Sequence, residues 1–480
     1  MSMEAIQTQI RANGYQLDSE IILEMIAEHD TQAMLEGARY YRSKSDIVDR
    51  QMYFYDAHQN RVIDETKENH KLVNNWHKLL VDQKTSYLVG NPMVFSVKNS
   101  DEEQQNEFAE KIELLLGDEW DDIVADIATN ASNKGTEWLH VYIDRKGYYK
   151  YAIAPAEEVI PVFESALQKN LEGALRYYSI KVDGIDRCKA EWWTRESVTV
   201  YIETADGGFE LDTTEPENPA PHFKRNGIPQ GWGKVPFIEF PNNSFRANDL
   251  ETTKSLIDEY DEALSDFANN NAEVQEIVMI LKGYESTSLA EFKQNLRFYK
   301  VIKTRGDSHS GVDKLEFKIP TEAKKELLDR LEENIFLFGQ GVNIKTDRFN
   351  NAPSGASLAF LYKSLALKSA LMERKFRRSI KKLFWFITEY INMEFNKTFD
   401  RNNVKVTFRK NMILNSKEIV DTLKASRDMI SDETIVSLYP LVENTTYEYQ
   451  KLLEQRKGAQ GKVVDLTKKE IDLSKIDINE

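Results

Sequence analysis

The acidic residues are the first candidates for chemistry. Asp249, Glu251, Asp258, Glu259, Asp261 and Glu262 recur three and four residues apart, so a helix would stack several carboxylates on one face. Such a face could hold Mg²⁺ and cleave phosphodiesters, or be the solvated side of an ordinary helix. A second cluster, Asp118, Glu119, Asp121 and Asp122, stands where a helix starts. Acids there complement the helix dipole, and capping is the reading taken. The seven histidines are scattered, with no HExxH pair, and Cys188 is the sole cysteine, so no CxxC exists. No GxxxxGK[ST] phosphate loop or GxSxG elbow occurs. Gly339 and Gly341 in FGQGV (338–342) follow no strand and read as a helix end, not a dinucleotide site. The sequence therefore leads us to expect no catalytic residue, no metal and no cofactor.

The most informative segment is a loop running into one long helix. Residues 344–355 lack an apolar period and carry Asn350, Asn351, Pro353 and Gly355, which marks a loop. From Ser357 a helical pattern runs for about forty residues with no Gly or Pro in it, a helix of roughly 60 Å at 1.5 Å per residue. Leu358, Leu361, Leu365, Ile380, Leu383, Phe384, Ile387 and Ile391 set an apolar stripe that belongs in a core. Opposite it, Lys363, Lys368, Arg374, Lys375, Arg377, Arg378, Lys381 and Lys382 face only Glu373. They form either a solvated basic face or a partner for the acidic 248–262 stretch, within one subunit or between subunits.

These elements sit in a chain of 480 residues with net charge −16. That length suggests about three domains. The N-terminus lacks an apolar h-region, so no signal peptide is expected, and no apolar run approaches the roughly 18–20 residues of a membrane span. A single cysteine excludes a disulfide scaffold and permits a reducing compartment. The negative charge argues against a protein that grips DNA by its phosphates, though not against one past which DNA slides. The first 130 residues read as helical: 19–40, about 65–89 with a stop at Gly90-Asn91-Pro92, a helix ending at Gly117, and 120–133. Residues 136–240 turn to strands over 138–143, 148–153, 175–182, 191–193, 198–202 and 237–240. Six of the twelve prolines fall between Pro216 and Pro241, which reads as an irregular surface connection. Helix returns from Asn248 to about Leu281. A small unit follows: a helix over 289–297, then a hairpin of 298–304 and 314–319 about a turn at 305–311. Pro320 then opens a second helix to Phe338. After the long helix come a strand (404–408), helices at 416–427, 432–438 and 446–455, and a charged tail from 458 without aromatics, read as disordered.

This order of elements resembles the portal proteins of tailed bacteriophages, of the kind in siphophages of Gram-positive bacteria, over roughly residues 40–450. The resemblance rests on ARYYRSKSDI (38–47), NNWHKLLVDQKTSYLVGNP (74–92), GTEWLHVY (135–142) with IAPAEEVIP (153–161), LIDEYD (256–261), FGQGV, Ser354-Gly355, and SDET (431–434) with Pro440. No one piece is diagnostic; their order is.

The resemblance implies an α+β, mainly helical portal fold with wing, stem, clip and crown, assembling as a ring with a central channel. Residues 1–247 would be wing, 248–282 a stem helix, 283–319 the clip, 320–343 the second stem helix and 344–357 the tunnel loop. The spine helix and strand would be 358–410, the crown 411–457 and the disordered tail 458–480. Ile344, Lys345, Thr346, Asp347, Arg348, Phe349, Asn350, Asn351, Pro353, Ser354 and Gly355 would face DNA. Arg297, Lys300, Lys303, Arg305, Asp307 and His309 of the clip would dock the terminase large subunit and then the head-completion adaptor. Further implied partners are the other subunits of the ring, usually twelve, the major capsid and scaffolding proteins, and double-stranded DNA without regard to sequence, with no membrane. The implied location is the capsid vertex of the virion, and the host cytoplasm during assembly. An acidic ring suits a conduit, since it keeps the duplex from sticking. Lys345 and Arg348 could touch phosphates briefly, with Asp347 between them weakening any grip. A channel-less scaffold or adaptor is the competing expectation, and a Mg²⁺-dependent nuclease using the 249–262 carboxylates the other.

Overall fold

The computed structural model describes residues 3–98, 101–165, 170–274, 278–282, 311–315, 320–343, 345, 360–411, 416–439, 442 and 447–456. They form an α+β structure, mainly helical. The chain divides into two compact units, residues 1–343 with 364–411 and residues 344–363 with 412–480.

The first unit opens with α1 (Met3–Ala12), α2 (Ser19–Ala27) and α3 (Gln32–Tyr41). The single helix expected over 19–40 is broken at 28–31, where the Asp30 carboxylate accepts from the Gln32 amide and starts a new helix. An exposed hairpin follows, β1 (Tyr53–Tyr55) with β2 (Arg61–Ile63), in a stretch that reads as helical. The helix expected from about residue 65 begins only at Trp76, as α4 (Trp76–Val89). The reason is tertiary: the amides of His70, Leu72 and Asn74 are committed to side chains of another helix.

Next come β3 (Val94–Val97), α5 (Glu102–Leu116) and α6 (Trp120–Lys134). Asp101 caps α5 by accepting from the amides of Glu103 and Gln104; at α6, where capping by the 118–122 acids is expected, Asp121 and Asp122 stand in the first turn but no side chain caps the helix. The β-rich part holds β4 (Thr136–Ile143), β5 (Tyr149–Ala154), β6 (Val159–Phe163), β7 (Leu171–Val182), β8 (Ile185–Trp193), β9 (Ser197–Glu203), β10 (Phe209–Leu211), β11 (Ala220–Pro221), β12 (Phe223–Arg225), β13 (Ile228–Gln230) and β14 (Phe237–Pro241). One antiparallel sheet runs β10-β9-β8-β7-β6 with β11 on β9; a second runs β14-β4-β5. The proline-rich 216–241 stretch is not merely a surface loop. It forms short strands and buries Phe223, Trp232 and Val235.

The helix expected over 248–281 is shorter at both ends. It is α7 (Lys254–Val274), preceded by turns and followed by β15 (Val278–Lys282). β15 pairs antiparallel with β16 (Gly311–Leu315). The expected hairpin partner 298–304 and the helix 289–297 lie outside the described residues. α8 (Thr321–Gly339) starts directly after Pro320, as read. Then come α9 (Lys363–Phe395) and β17 (Val404–Thr407), the latter paired with β3. The described part of α9 spans about 50 Å at 1.5 Å per residue. Its stripe Leu365, Ile380, Leu383, Phe384, Ile387 and Ile391 is buried; Leu361 is half-buried, and Leu358 lies outside the described residues. Most of it enters one core with α5, α6, β4 and β14. A separate core joins α1 and α2 to the large sheet.

In the second unit, α10 (Ser416–Ala425), α11 (Asp432–Leu438) and a helix over 447–456 match the expected helices. Ser431 caps α11 by accepting from the Thr434 amide. The tail from 457 lies outside the described residues.

Candidate functional site

Of the expected DNA-facing residues, Lys345 is described, exposed in a turn. Ile344, Thr346, Asp347, Arg348, Phe349, Asn350, Asn351, Pro353, Ser354 and Gly355 lie outside the described residues. So do Arg297, Lys300, Lys303, Arg305, Asp307 and His309. What is visible is the framework holding both segments. The β15–β16 pairing runs from Val278↔Leu315 to Lys282↔Gly311, which zips together the two ends of the 283–310 insertion. α7 precedes β15 and α8 follows β16 in the chain, and the two helices pack on each other.

The root of the 344–355 segment is built from FGQGV. α8 ends because Gln340 takes the left-handed conformation (φ 56), and the Gly341 amide donates to Phe336 O at 3.0 Å. Both glycines are needed for close approach. A Cβ on Gly339 would lie 2.5 Å from Leu80 Cδ1, and one on Gly341 2.4 Å from Leu80 Cδ2 and 2.9 Å from Gln83 Oε1. Pressed this close to α4, Val342 is clasped by the Gln83 amide: Gln83 Nε2 donates to Val342 O at 2.9 Å, and Val342 N donates to Gln83 Oε1 at 2.8 Å. Gly341→Val should force these groups apart, costing about 1–3 kcal/mol as overpacking does. A lowered midpoint of urea denaturation relative to the wild type would measure it.

Beneath this root is a buried charged cluster. Lys84, 1 % exposed, donates to Asp249 Oδ2 at 2.8 Å and to Asn242 Oδ1. Lys368 of α9 approaches Asp249 Oδ2 at 3.3 Å and donates to Gly339 O at 2.9 Å. Lys368 thus satisfies an orphan carbonyl at the end of α8 while pairing with a buried acid. Burial alone would raise the Asp249 carboxyl, but Lys84 and Lys368 overcome it and hold the group well below the usual carboxylate range. Burial pulls the Lys84 amine down to about 8, with Asp249 opposing. One cluster therefore joins α4, the 242–249 connection, the end of α8 and α9.

Asp258, Asp261 and Asp266 of α7 each take separate partners, while Glu259 and Glu262 are exposed. Asp261, fully buried, accepts from Ser45 Oγ at 2.6 Å and from the amide and side chain of Asn74 at 2.9 and 2.8 Å. Ser265 accepts from Leu72 N at 3.0 Å and Asn269 from His70 N at 2.7 Å. Residues 261, 265 and 269 rise about 6 Å per step along a helix. Alternate residues 74, 72 and 70 advance nearly the same distance in an extended chain. The 70–74 segment is thus a strap hydrogen-bonded down one side of α7. Asp258 binds Tyr40 Oη and Lys254, and Arg50 binds Asp266. Among the described residues, no group of three or more His, Cys, Asp or Glu could hold a metal. Of the alternative pairing of the 248–262 acids with α9 cations, the described residues show Asp249–Lys368, with Asp249 ahead of the helix.

Sequence reading passed over Lys84 and Gln83. Their signal was the interruption of an apolar helix by a lysine at a position flanked by Leu80, Val81 and Leu88, all buried.

Comparison with known proteins agrees with this architecture. Residues 22–462 match the family described as "Phage portal protein, SPP1 Gp6-like". The portal protein of Bacillus phage SPP1 is 36% identical over 470 residues, covering 96% of this chain and 92% of that one. The portal protein of Clostridium phage phiCD119 is 30% identical over 453 residues, covering 90% and 95%. Two solved structures are similar: the neck of an empty GTA particle computed with C6 symmetry (TM-score 0.43, 11% identity, 76% of this chain and 90% of that one) and the neck of a native GTA particle computed with C12 symmetry (TM-score 0.36, 10% identity, 77% and 90%). No described helix is long and apolar enough to cross a membrane. With a family match across most of its length, the chain belongs to the phage portal proteins, structural components of the virion at the head–tail connection and not enzymes.

Proposed function

We propose that copies of this chain form a ring, usually of twelve in this family, through whose channel double-stranded DNA is packaged and later ejected. The observation that carries the reading is the framework around residues 344–355. The segment leaves from Val342, clasped by Gln83, and returns into a helix whose Lys368 binds buried Asp249 and the last turn of α8. A segment rooted so firmly can contact moving DNA without unravelling the elements behind it.

In this reading α7 and α8 are the stem and residues 283–319 the clip. Arg297, Lys300, Lys303, Arg305, Asp307 and His309 meet the terminase large subunit and then the head-completion adaptor. Residues 1–247 and 358–410 form the wing, and 411–457 the crown toward the capsid interior, near scaffolding and major capsid proteins. Assembly takes place in the host cytoplasm. Residues 344–357 are the tunnel loop, with Lys345 and Arg348 making brief, sequence-blind phosphate contacts.

Mass photometry of the full chain at micromolar concentration should give ring masses, and negative-stain images a central hole. A strictly monomeric mass would sink the reading. Lys345→Ala with Arg348→Ala should keep the ring and change the amount of DNA packaged in vitro. Loss of the ring itself in that variant would place the loop in a subunit interface.

A further inference from the structure

The first unit contains a cleft of about 610 Å³ between residues 233–238, one face of α9 and the 401–404 turn. Its floor is apolar, with Val235, Phe237, Phe384, Phe386 and Val404. Six exposed cations line it, Arg195, Lys234, Arg378, Lys381, Lys382 and Arg401, and no carboxylate does. Arg378, Lys381, Lys382 and Trp385 fall at helical spacing, so α9 presents them on one face. Lys234 stands over the Trp385 ring at 3.8 Å. Among the described residues only Arg195 of the six has an ion pair, at 3.8 Å to Glu172. Six like charges around an apolar floor, in a chain of net charge −16, are a matched receptor for a surface that is acidic with an apolar point.

The same chain carries such a surface elsewhere. Residues 101–126 hold eleven carboxylates and one lysine. Within the chain Glu107 is paired with Lys397 and Lys111, while the other ten acids are exposed. At the α5–α6 corner Leu114 is 74% exposed, one turn or less from Glu110, Glu113 and Asp118. We propose that this corner of one copy enters the cleft of the next, Leu114 reaching the apolar floor and Glu110, Glu113 and Asp118 meeting Arg378, Lys381 and Lys382. Two different patches of one chain then bind each other head to tail. Such heterologous contacts close into a ring when the rotation between copies permits. The inference rests on the ring reading above and names the contact that would make it.

The test is charge reversal in the full chain. Arg378→Glu, Lys381→Glu and Lys382→Glu together should lower the ring fraction in mass photometry at least tenfold, with an unchanged circular-dichroism melt. Adding Glu110→Lys, Glu113→Lys and Asp118→Lys should restore the rings. Independently, Leu114→Cys with Lys381→Cys, in a Cys188→Ser background, should give a ladder of disulfide-linked oligomers on oxidation. If the wild type forms rings but the reversal leaves their mass unchanged, or if the swapped set does not restore them, the proposed contact is wrong. If the reversed protein keeps its rings and instead holds less DNA, the cleft is a phosphate site and the proposal falls. A wild type that never forms rings would overturn the ring reading itself, a separate result.

Discussion

Replacing Asp249 with leucine should destabilise the first unit by about 3–5 kcal/mol, the cost of leaving buried charge uncompensated. The substitution leaves two ammonium groups, Lys84 and Lys368, facing each other without the acid between them. Asn242 and Gly339 O would still accept from them, and neither neutralises charge. Urea denaturation followed by tryptophan fluorescence would read the loss, since Trp76 and Trp120 lie in the neighbouring packing. Lys84→Met and Lys368→Met added to Asp249→Leu should recover a large part, because an apolar replacement of a whole buried cluster is often close to neutral. An Asp249→Leu variant that unfolds at the wild-type midpoint would show that the cluster is wet or open.

The same cluster sets a pH dependence. The Asp249 carboxyl is held below its ordinary range in the folded chain. The unfolded chain therefore binds more protons in that interval, and stability falls as acid is added. The contribution is complete above the ordinary carboxylate pKa of about 4 and is lost as pH drops toward the lower folded value. Wild type should lose more stability than the triple apolar variant below that point. Parallel curves for the two proteins would contradict the assignment.

How much of this could be read from residues follows from where the information sits. The α9 stripe was legible because one helix face meets one core. FGQGV was legible as a helix end because its two glycines follow no strand, and the structure adds the left-handed Gln340 between them. The expected DNA-facing and clip residues rest on composition and order alone, and apart from Lys345 they lie outside the described residues. Three features escaped for physical reasons. The strap at 70–74 is held through backbone amides, which every sequence supplies, so nothing in its side chains cancels the helical pattern. Lys84 sits in α4, which is buried on several sides (His77, Leu80, Thr85, Tyr87, Leu88), so no polar face exists to mark it as unusual. The α9 cations could not be assigned from spacing, because Asp249, the acid that Lys368 meets, stands ahead of α7 and not on it.

Phe376→Ala should cost about 3–5 kcal/mol, as large-to-small changes of a buried aromatic do. Phe376 has no exposed surface and meets the Phe240 ring edge-on, centroids 5.1 Å apart and planes at 80°. Met372 and Ile380, one turn either side, are fully buried in the same core. Next to it Ser379 Oγ donates to Glu239 O at 2.5 Å, so the helix is also hydrogen-bonded to β14 at this point. That bond limits how far α9 can move into the void, and a site that cannot collapse falls at the costly end of the range. α9 is also the element whose Lys368 fixes the end of α8 two turns earlier. A helix loosened at 376 should loosen that anchor, so hydrogen exchange at Gly341 and Val342 should rise in Phe376→Ala. In Phe376→Leu, which keeps most of the volume, it should stay near the wild-type level. Faster exchange confined to the neighbours of residue 376, with 341 and 342 still protected, would show that the anchor holds without the core behind it.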